Sequence, residues 1–176
     1  MSMTSKPEAL QDEIRALVEK NPSTTLSKLA HDHGLEEGQI MPLLSPEMAV
    51  AVPADHFMDL WKEISQWKRI TFIAINDGMV VEVKGTLPQG SSGHGMFNLH
   101  EADNPIGGHI FINKLGSIWL LSKPHFGVES HSVHYFTREG KPMFAIYVGR
   151  DTETRQLLEE VKNDFLTLKA KYGDHS

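Results

Sequence analysis

Cysteine is absent from the 176 residues of the chain. Without a thiol, the protein forms no disulfide, no cysteine-ligated zinc site and no iron–sulfur cluster, and it carries out no thiol catalysis. Any metal must therefore be held by His, Met, Tyr, Asp or Glu side chains, or arrive inside a cofactor.

The sequence also lacks a long apolar run and an excess of basic residues. Charges are spaced through the N-terminal stretch MSMTSKPEALQDEIRALVEK, and no run approaches membrane-spanning length. We therefore expect a cytoplasmic protein with no membrane partner. The formal net charge is −6, with 17 Lys and Arg against 23 Asp and Glu. That balance disfavours nucleic acid as a partner, because non-specific binding to phosphates needs clustered basic side chains.

Common catalytic motifs are missing as well. There is no Walker loop, no Gly-x-Ser-x-Gly elbow and no His-Glu-x-x-His pair. The run GSSGHG (90–95) has neither the lysine of a phosphate loop nor a strand-to-helix context. It is typical of a flexible loop between strands.

Before residue 70, apolar residues recur at helical spacing. Ser5 and Glu8 have the spacing of a capping box, and Gly34 is placed to end a second helix. We predict that residues 1–45 form small helices packed on a core of residues 46–176, the whole being one compact unit. The apolar stripes are Leu10, Ile14, Leu17 and Val18; Leu26, Leu29 and Ala30; Ile40, Leu43 and Leu44; and Phe57, Leu60, Trp61 and Ile64.

From Ile70 onward, the pattern changes to the alternation of β-strands. Asp77-Gly78 is a hairpin signal between the first two runs. Because short turns join the runs, the strands should pair antiparallel. Asp151 is placed to cap a long closing helix. The predicted fold is α+β, with small N-terminal helices, an antiparallel sheet of about seven strands and a long C-terminal helix. The seven runs are residues 69–76, 79–85, 96–99, 109–113, 117–122, 132–136 and 142–148.

Two histidines stand beside glycines, which let a backbone approach a bulky partner closely. His94 lies between two glycines, and His109 follows a Gly-Gly pair. Strand alternation after Gly108 places His109 and Phe111 on one face. An imidazole with an aromatic neighbour in that arrangement could serve as an axial ligand beside a flat apolar macrocycle.

The other histidines point less clearly to chemistry. His31 and His33 fall near the end of a short helix, where an exposed imidazole is ordinary. His131 and His134 are three positions apart on one strand, so their side chains should point to opposite faces and cannot chelate one ion together.

Three motifs do not belong to a generic strand pattern: GHGMFNL (93–99), GGHI (107–110) and VGRD (148–151). With VPADHFMDLWKEISQW (52–67) and RQLLEEV (155–161), they resemble the HutX/ChuX family of intracellular haem-utilisation carriers over nearly the whole chain. The resemblance implies a fold like one repeat of the HemS/ChuS haem-degrading proteins. It also implies a homodimer that mimics their two-repeat sheet, and cytoplasmic haem binding with delivery to an accepting protein in bacterial iron acquisition.

The resemblance further implies roles for single residues. The histidine of GGHI matches His109, which is then the iron ligand, and that of GHGMFNL matches His94, which is then near the haem or its propionates. Some relatives have a further histidine where this chain has Ile75. The iron therefore has either an open sixth position or a substitute ligand. Met96 is the nearest soft candidate, with core packing as its alternative role.

Three functions are open at this point. A haem carrier needs an axial ligand and apolar walls, which His109, Phe111 and Trp119 could supply. A haem-degrading enzyme needs an open distal site in addition. Since no distal acid or base is identifiable, we prefer the carrier and expect no catalytic residues.

The third function is a DNA-binding regulator. The stretch STTLSKLAHDHGLEEGQIMPLL (23–44) has the cadence of a helix-turn-helix. Its would-be recognition helix begins with Glu36 and Glu37 and is interrupted by Pro42. Carboxylates there would repel phosphates, so we expect a docking or stabilising element instead.

The aromatic content also bears on assembly. Three tryptophans, together with Phe72, Phe97 and Phe111, are many aromatic residues for so small a core. We expect pairing of sheets or of sheet faces in a homodimer to cover some of them.

Overall fold

A computed structural model describes residues 6–174, which form two antiparallel sheets and five α-helices. The strands are β1 (Ala49–Val52), β2 (Ile70–Asn76), β3 (Met79–Gly85), β4 (Gly90–Gly93), β5 (Met96–Leu99), β6 (Gly108–Ile110), β7 (Leu115–Ser122), β8 (His131–Thr137) and β9 (Pro142–Val148). The larger sheet has the order β1-β7-β8-β9-β2-β3, and the smaller sheet has the order β4-β5-β6. The predicted α+β class with antiparallel strands is confirmed.

The helices lie at both ends of the chain and between the first two strands. They are α1 (Lys6–Lys20), α2 (Leu26–His33), α3 (Glu37–Ile40), α4 (Phe57–Ile64) and α5 (Glu159–Gly173). Thr25 caps α2 by accepting the Lys28 N–H, and Gly34 ends it at φ 64°, as its position in the sequence predicts. Within residues 6–174, no helix is long and apolar enough to cross a membrane.

The six-stranded sheet is covered on both faces, by different parts of the chain. Alternate residues of β7 show this division, since Ile118 and Leu120 join one apolar cluster while Leu121 joins the other. The first cluster contains α4, α5 and the inner side of the small sheet, with Trp61, Phe97 and Phe165 among its members. We call this side of the large sheet face A.

The opposite side, face B, carries the N-terminal helices. Ile14 of α1, Leu29 of α2 and Ile40 of α3 pack with Leu121 and Phe136 of the sheet in the second cluster. The division at residue 45 stays a prediction. Residues 1–5, including the capping box predicted at Ser5, and residues 175–176 lie outside the described part of the chain.

The strand count differs from the prediction because two strands form by backbone pairing and have no side-chain pattern that predicts them. Nine strands in two sheets replace one sheet of about seven. The additional strands are β1, only four residues long, and β4, whose sequence GSSG has no β-branched residue. β4 is held by its full register against β5, so GSSGHG is a hairpin and not a flexible loop. The run predicted over 109–113 ends at Ile110, and a 3₁₀ turn follows at Ile112–Lys114.

Two further expectations have clear outcomes. Asp151 does not cap the closing helix. Its carboxylate accepts the N–H groups of Glu153 and Thr154 in a turn before α5, which begins at Glu159. His131 and His134 do point to opposite faces. The His131 ring lies 5.3 Å from that of Phe165 on face A, whereas the His134 ring lies 5.8 Å from that of Tyr147 on face B.

The helix-turn-helix resemblance ends at its second helix. α3 is a single turn of four residues, followed by a 3₁₀ turn at Met41–Leu43 that contains Pro42. Gly38 sits against the turn after β8, where an added Cβ would meet Gly140 Cα at 2.8 Å. The segment is therefore packed onto the sheet and does not present a long helix.

One buried cation ties the N-terminal helices to the sheet. Lys123, at the end of β7, is 7% exposed, and its ammonium donates to the carbonyl oxygens of Pro22 and Thr24. Burial lowers the pKa of Lys123. The loop between α1 and α2 is thus fastened by hydrogen bonds to a charged donor, which are stronger than neutral ones.

We expect Lys123→Met to destabilise the protein by about 1–3 kcal/mol, because two carbonyl groups lose a charged donor while the apolar stem is retained. Urea unfolding measures the loss. Lys28→Met is the matched control, since the Lys28 ammonium pairs with Asp32 on an exposed helix surface; its effect should stay within about 0.5 kcal/mol. Equal effects of the two variants would contradict the role assigned to Lys123.

Candidate functional site

The small sheet has one buried side and one exposed side, and His109 lies on the exposed one. Phe97 of β5 and Ile110 of β6 are paired in register and point into the first core cluster. The alternate residues Asn98 and His109 are also paired, on the outer side. Met96 precedes Asn98 by two positions and therefore shares that side. The outer side of β4-β5-β6 is the candidate site.

His94 lies in the two-residue turn that joins β4 to β5. His94 and Gly95 both have positive φ, at 55° and 74°, and Gly93 pairs with Met96 across the turn. Two central residues with positive φ define the type I′ turn that suits a tight hairpin. The backbone conformation of this turn thus accounts for the GHG motif. The histidine of the motif is an exposed imidazole at the hairpin tip.

A second glycine is needed where the hairpin meets the core. A Cβ on Gly90 would lie 2.5 Å from the ring atoms of Phe97. That distance is far below van der Waals contact, so only glycine lets β4 pass over the buried ring. The hairpin that carries His94 and Asn98 is consequently seated on a rigid aromatic base.

Asn98 fixes the orientation of His109. Its Oδ1 lies 2.7 Å from Nδ1 of His109, and its Nδ2 donates to the carbonyl oxygens of Gly93 at 3.2 Å and Ser91 at 3.4 Å. Since both carbonyls require the amide nitrogen on their side, Oδ1 must face the histidine and accept Nδ1–H. In the neutral ring, Nε2 then keeps its lone pair free for a metal.

The remaining predicted residues are distributed unevenly. Phe111 follows directly after β6, at the start of the 3₁₀ turn, and is 57% exposed. Trp119 does not join them, because it packs against the N-terminal cluster on face B. Ile75 also lies on face B, where it lines a hollow beside α2 with His31. A side chain at position 75 therefore cannot share an iron with His109 of the same chain.

Met96 is not a core residue, contrary to one of its two predicted roles. It is half-buried on the outer side of the small sheet, whereas its neighbours Phe97 and Leu99 fill the core. The predicted residues His109, His94, Met96 and Phe111 thus all belong to the outer side or rim of the small sheet. Within residues 6–174, no three His, Asp or Glu side chains come together to hold a bare metal ion. An iron that already has four porphyrin nitrogens needs only one such ligand.

Asn98 is the residue of the candidate site that the sequence analysis missed. Asn is depleted in strands, so an Asn inside the apolar run MFNL was the available signal. Recognising its partner requires the β5–β6 register, which places residues 98 and 109 opposite each other across eleven positions of sequence.

Comparisons with known proteins agree with these motifs. The model of the family described as haem utilisation ChuX/HutX matches residues 50–168. The intracellular heme transport protein HutX of Vibrio cholerae serotype O1 is 31% identical over 165 residues, which are 94% of this chain and 85% of that protein.

Solved structures show the same relationship. A crystal structure of ChuX superposes with a TM-score of 0.84 at 29% identity, covering 92% of this chain and 99% of that one. A structure of the heme binding protein ChuX gives 0.81 at 30% identity, covering 92% and 97%.

A more distant match concerns the fold alone. The heme degrading enzyme ChuS of Escherichia coli O157:H7 gives a TM-score of 0.68 at 19% identity, and the match covers 95% of this chain but 49% of that one. The chain therefore has the fold of about half of that protein. By its family match and its similarity to HutX and ChuX, the chain belongs to the haem-utilisation ChuX/HutX family.

Proposed function

We propose that the protein binds haem as cargo through His109 and passes it to an accepting protein. The observation that carries the proposal is the hydrogen bond from His109 Nδ1 to Asn98 Oδ1. Histidines that bind metals donate their second ring nitrogen to such an acceptor, which fixes the tautomer and the ring orientation. Here the bond leaves Nε2 of an exposed ring free to meet iron.

The surroundings of His109 fit a flat, partly apolar cargo. Phe111 and Met96 offer apolar surface next to the imidazole, and the adjacent Gly107-Gly108 pair has no side chain to obstruct the approach of a macrocycle. His94 at the hairpin tip is available to the propionates or to the second axial position. Haem is the one cofactor-like group that this set of residues suggests.

Transport is favoured over degradation. The relatives named for heme transport or heme binding are 30–31% identical to this chain, whereas the degrading enzyme shares only the fold. An exposed ligand also suits transfer, since an accepting protein can approach the iron before His109 releases it. We place this carriage in the cytoplasm, in keeping with the name of the relative from Vibrio cholerae.

A homodimer is part of the proposal, although on different grounds from those of the sequence. Most of the aromatic residues do not need a partner, because Trp61, Trp67 and Phe97 are buried within one chain, whereas Phe111 is exposed. The unpaired edge of the large sheet is a better reason. β3 exposes Met79, Val80 and Val81, and an apolar edge strand is a template for pairing.

The first prediction concerns the iron ligand. Titration of the wild-type protein with hemin should produce a Soret band that saturates at about one haem per chain, and His109→Ala should abolish or strongly shift that band. His94→Ala should weaken binding less, and Met96→Leu should leave the band in place because it preserves side-chain volume.

His31→Ala is the control for the loss of an exposed imidazole on face B. Absorption that rises without saturation would reduce binding to adsorption. A Soret band that is unchanged in His109→Ala but lost in Met96→Leu would contradict the assignment of His109 as the iron ligand.

The second prediction separates the role of Asn98 from that of His109. Asn98→Leu should weaken haem binding about 10–100-fold, the usual cost of losing the partner of a metal-bound histidine. Asn98→Asp should restore most of the affinity, because a carboxylate also accepts Nδ1–H. In the haem-free protein, long-range ¹H–¹⁵N spectra should show the Nδ1–H tautomer of His109 in wild type and its loss in Asn98→Leu. Identical spectra would contradict this account.

The third prediction concerns the dimer. Light scattering should give about twice the chain mass of 19.7 kDa for wild type. Val80→Lys should shift the mass towards the monomer, because an edge lysine opposes strand pairing. Val128→Lys, at a site that is also exposed but outside β3, should remain dimeric. A wild-type chain that is monomeric at all concentrations would refute the pairing.

A further inference from the structure

Three hydrogen-bonded side chains lie in series on face A, at one end of the large sheet. Ser122 is the last residue of β7 and His131 is the first residue of β8, and the two are paired in register. Ser122 Oγ lies 2.9 Å from His131 Nδ1. His131 Nε2 in turn lies 3.0 Å from Oε1 of Glu129. A hydroxyl, an imidazole and a carboxylate are therefore connected.

The carboxylate determines which ring nitrogen of His131 carries the proton. An ionised carboxylate only accepts hydrogen bonds, so Nε2–H of the neutral ring must donate to Glu129. Nδ1 then has a free lone pair and accepts the hydroxyl proton of Ser122. This is the arrangement of an activated nucleophile, in which a base contacts the hydroxyl and a third group orients the base. The two ring nitrogens exchange the roles that they have in a Ser-His-Asp triad, which is recognised by geometry.

Contacts from two other segments hold Glu129 in place. The Lys162 ammonium of α5 lies 2.7 Å from Oε1 and 3.2 Å from Oε2 of its carboxylate. The hydrogen bond from Lys162, followed by that from His131, keeps the pKa of Glu129 below its usual value. Arg150 donates to the backbone carbonyl oxygen of Glu129. The group that orients His131 is therefore ionised and fixed at both its backbone and its side chain.

A second Ser-His pair in the same strand shows what this arrangement adds. Ser132 Oγ lies 2.8 Å from Nε2 of His134 on face B, but no carboxylate is hydrogen-bonded to His134 within residues 6–174. Ser132 and His134 are 3% and 7% exposed, so solutes do not reach them. Ser122 is half-buried, and the side chain of Glu129 is 52% exposed. Of the two pairs, the one at Ser122 combines an oriented base with access to solvent.

A cation of α5 lies on the other side of the hydroxyl. Lys169 is seven positions after Lys162 and therefore shares its side of the helix. Its ammonium donates to the carbonyl oxygen of Glu47, and the next carbonyl oxygen, that of Met48, accepts the N–H of Ser122. A positive charge beside a serine stabilises the negative oxygen that develops when a carbonyl group is attacked.

We propose that Ser122 is a nucleophile that accepts the acyl group of small esters, with His131 as general base and Glu129 orienting that base. The hydroxyl oxygen adds to the ester carbonyl carbon while its proton passes to His131 Nδ1. The adduct collapses to acyl-serine, and the departing alcohol takes that proton. Water then adds by the same route, so that one ester and one water give one acid and one alcohol.

The activity is separate from haem binding, because none of its residues lies on the outer side of the small sheet. Half-burial of Ser122 favours short acyl groups over long ones. The absence of a Gly-x-Ser-x-Gly motif hid the site from the sequence analysis, since pairing of β7 with β8 is what brings Ser122 to His131.

Labelling with a fluorophosphonate tests the nucleophile, because this probe forms a stable bond to an activated serine and releases fluoride. Tandem mass spectrometry should find the label of wild type on Ser122 and not on Ser132. Ser122→Ala should remove it. His131→Gln should slow labelling at least about tenfold, since a general base contributes about 10²–10⁴-fold to such steps. His31→Ala, which removes an exposed imidazole elsewhere, should be labelled as wild type is.

Release of p-nitrophenol from p-nitrophenyl acetate tests the acyl transfer itself. Wild type should show a burst of about one product per chain, and Ser122→Ala should show only the slow background of other imidazoles. Glu129→Gln should slow the burst less than His131→Gln does, because it keeps an acceptor for Nε2–H but loses the charge. Lys169→Gln should also slow the burst. p-Nitrophenyl octanoate should react more slowly than the acetate.

Near-ultraviolet circular dichroism of each variant should match wild type, so that loss of label reports lost chemistry. Glu129→Gln changes an exposed side chain and therefore tests the site without disturbing the sheet. A wild-type protein without label would overturn the proposal, as would equal labelling of wild type and Ser122→Ala or a label on Ser132. An unchanged burst in Lys169→Gln would remove that cation from the site, and a faster reaction with octanoate would overturn the assignment to short acyl groups.

Discussion

Burial of β8 on both of its faces is the constraint on which the fold depends. Every residue from His131 to Phe136 is buried, so each side chain must have a partner on face A or on face B. Tyr135 shows how strict this is. Its ring stacks on Phe144 at 4.1 Å, and its hydroxyl is buried without a hydrogen-bond partner among residues 6–174. The N-terminal helices cover one side of this strand, while α4, α5 and the small sheet cover the other.

The small sheet connects that core to the proposed haem site. Phe97 packs edge-on against Phe57 and Trp61 of α4, which fixes the inner side of β5. The outer side is then fixed too, because consecutive strand residues point in opposite directions. Asn98, on that outer side, orients the His109 ring through one hydrogen bond. The imidazole is therefore exposed and yet oriented, a combination that suits the capture and release of haem that we propose for it.

The two faces of the large sheet differ in chemistry as well as in cover. On face A, α4, α5 and the small sheet pack against the large sheet, and the proposed haem-binding residues lie on the outer side of the small sheet. On face B, the N-terminal helices stop short of β9, β2 and β3, and basic residues line the uncovered area. That local excess of arginine and lysine contrasts with the net charge of −6 for the whole chain.

The sequence by itself determined the fold class, the hairpin at Asp77-Gly78, the helix end at Gly34 and the family, because periodicity, turn residues and short motifs are local. It also selected His109, His94, Met96 and Phe111, which are near one another in the chain. Only the tertiary structure decided that Trp119 and Ile75 lie on the other face, that Asn98 orients His109, and that GSSG forms a strand. Those outcomes depend on register, on which face of a strand is buried, and on backbone pairing between segments far apart in sequence. Residue types alone do not specify any of the three.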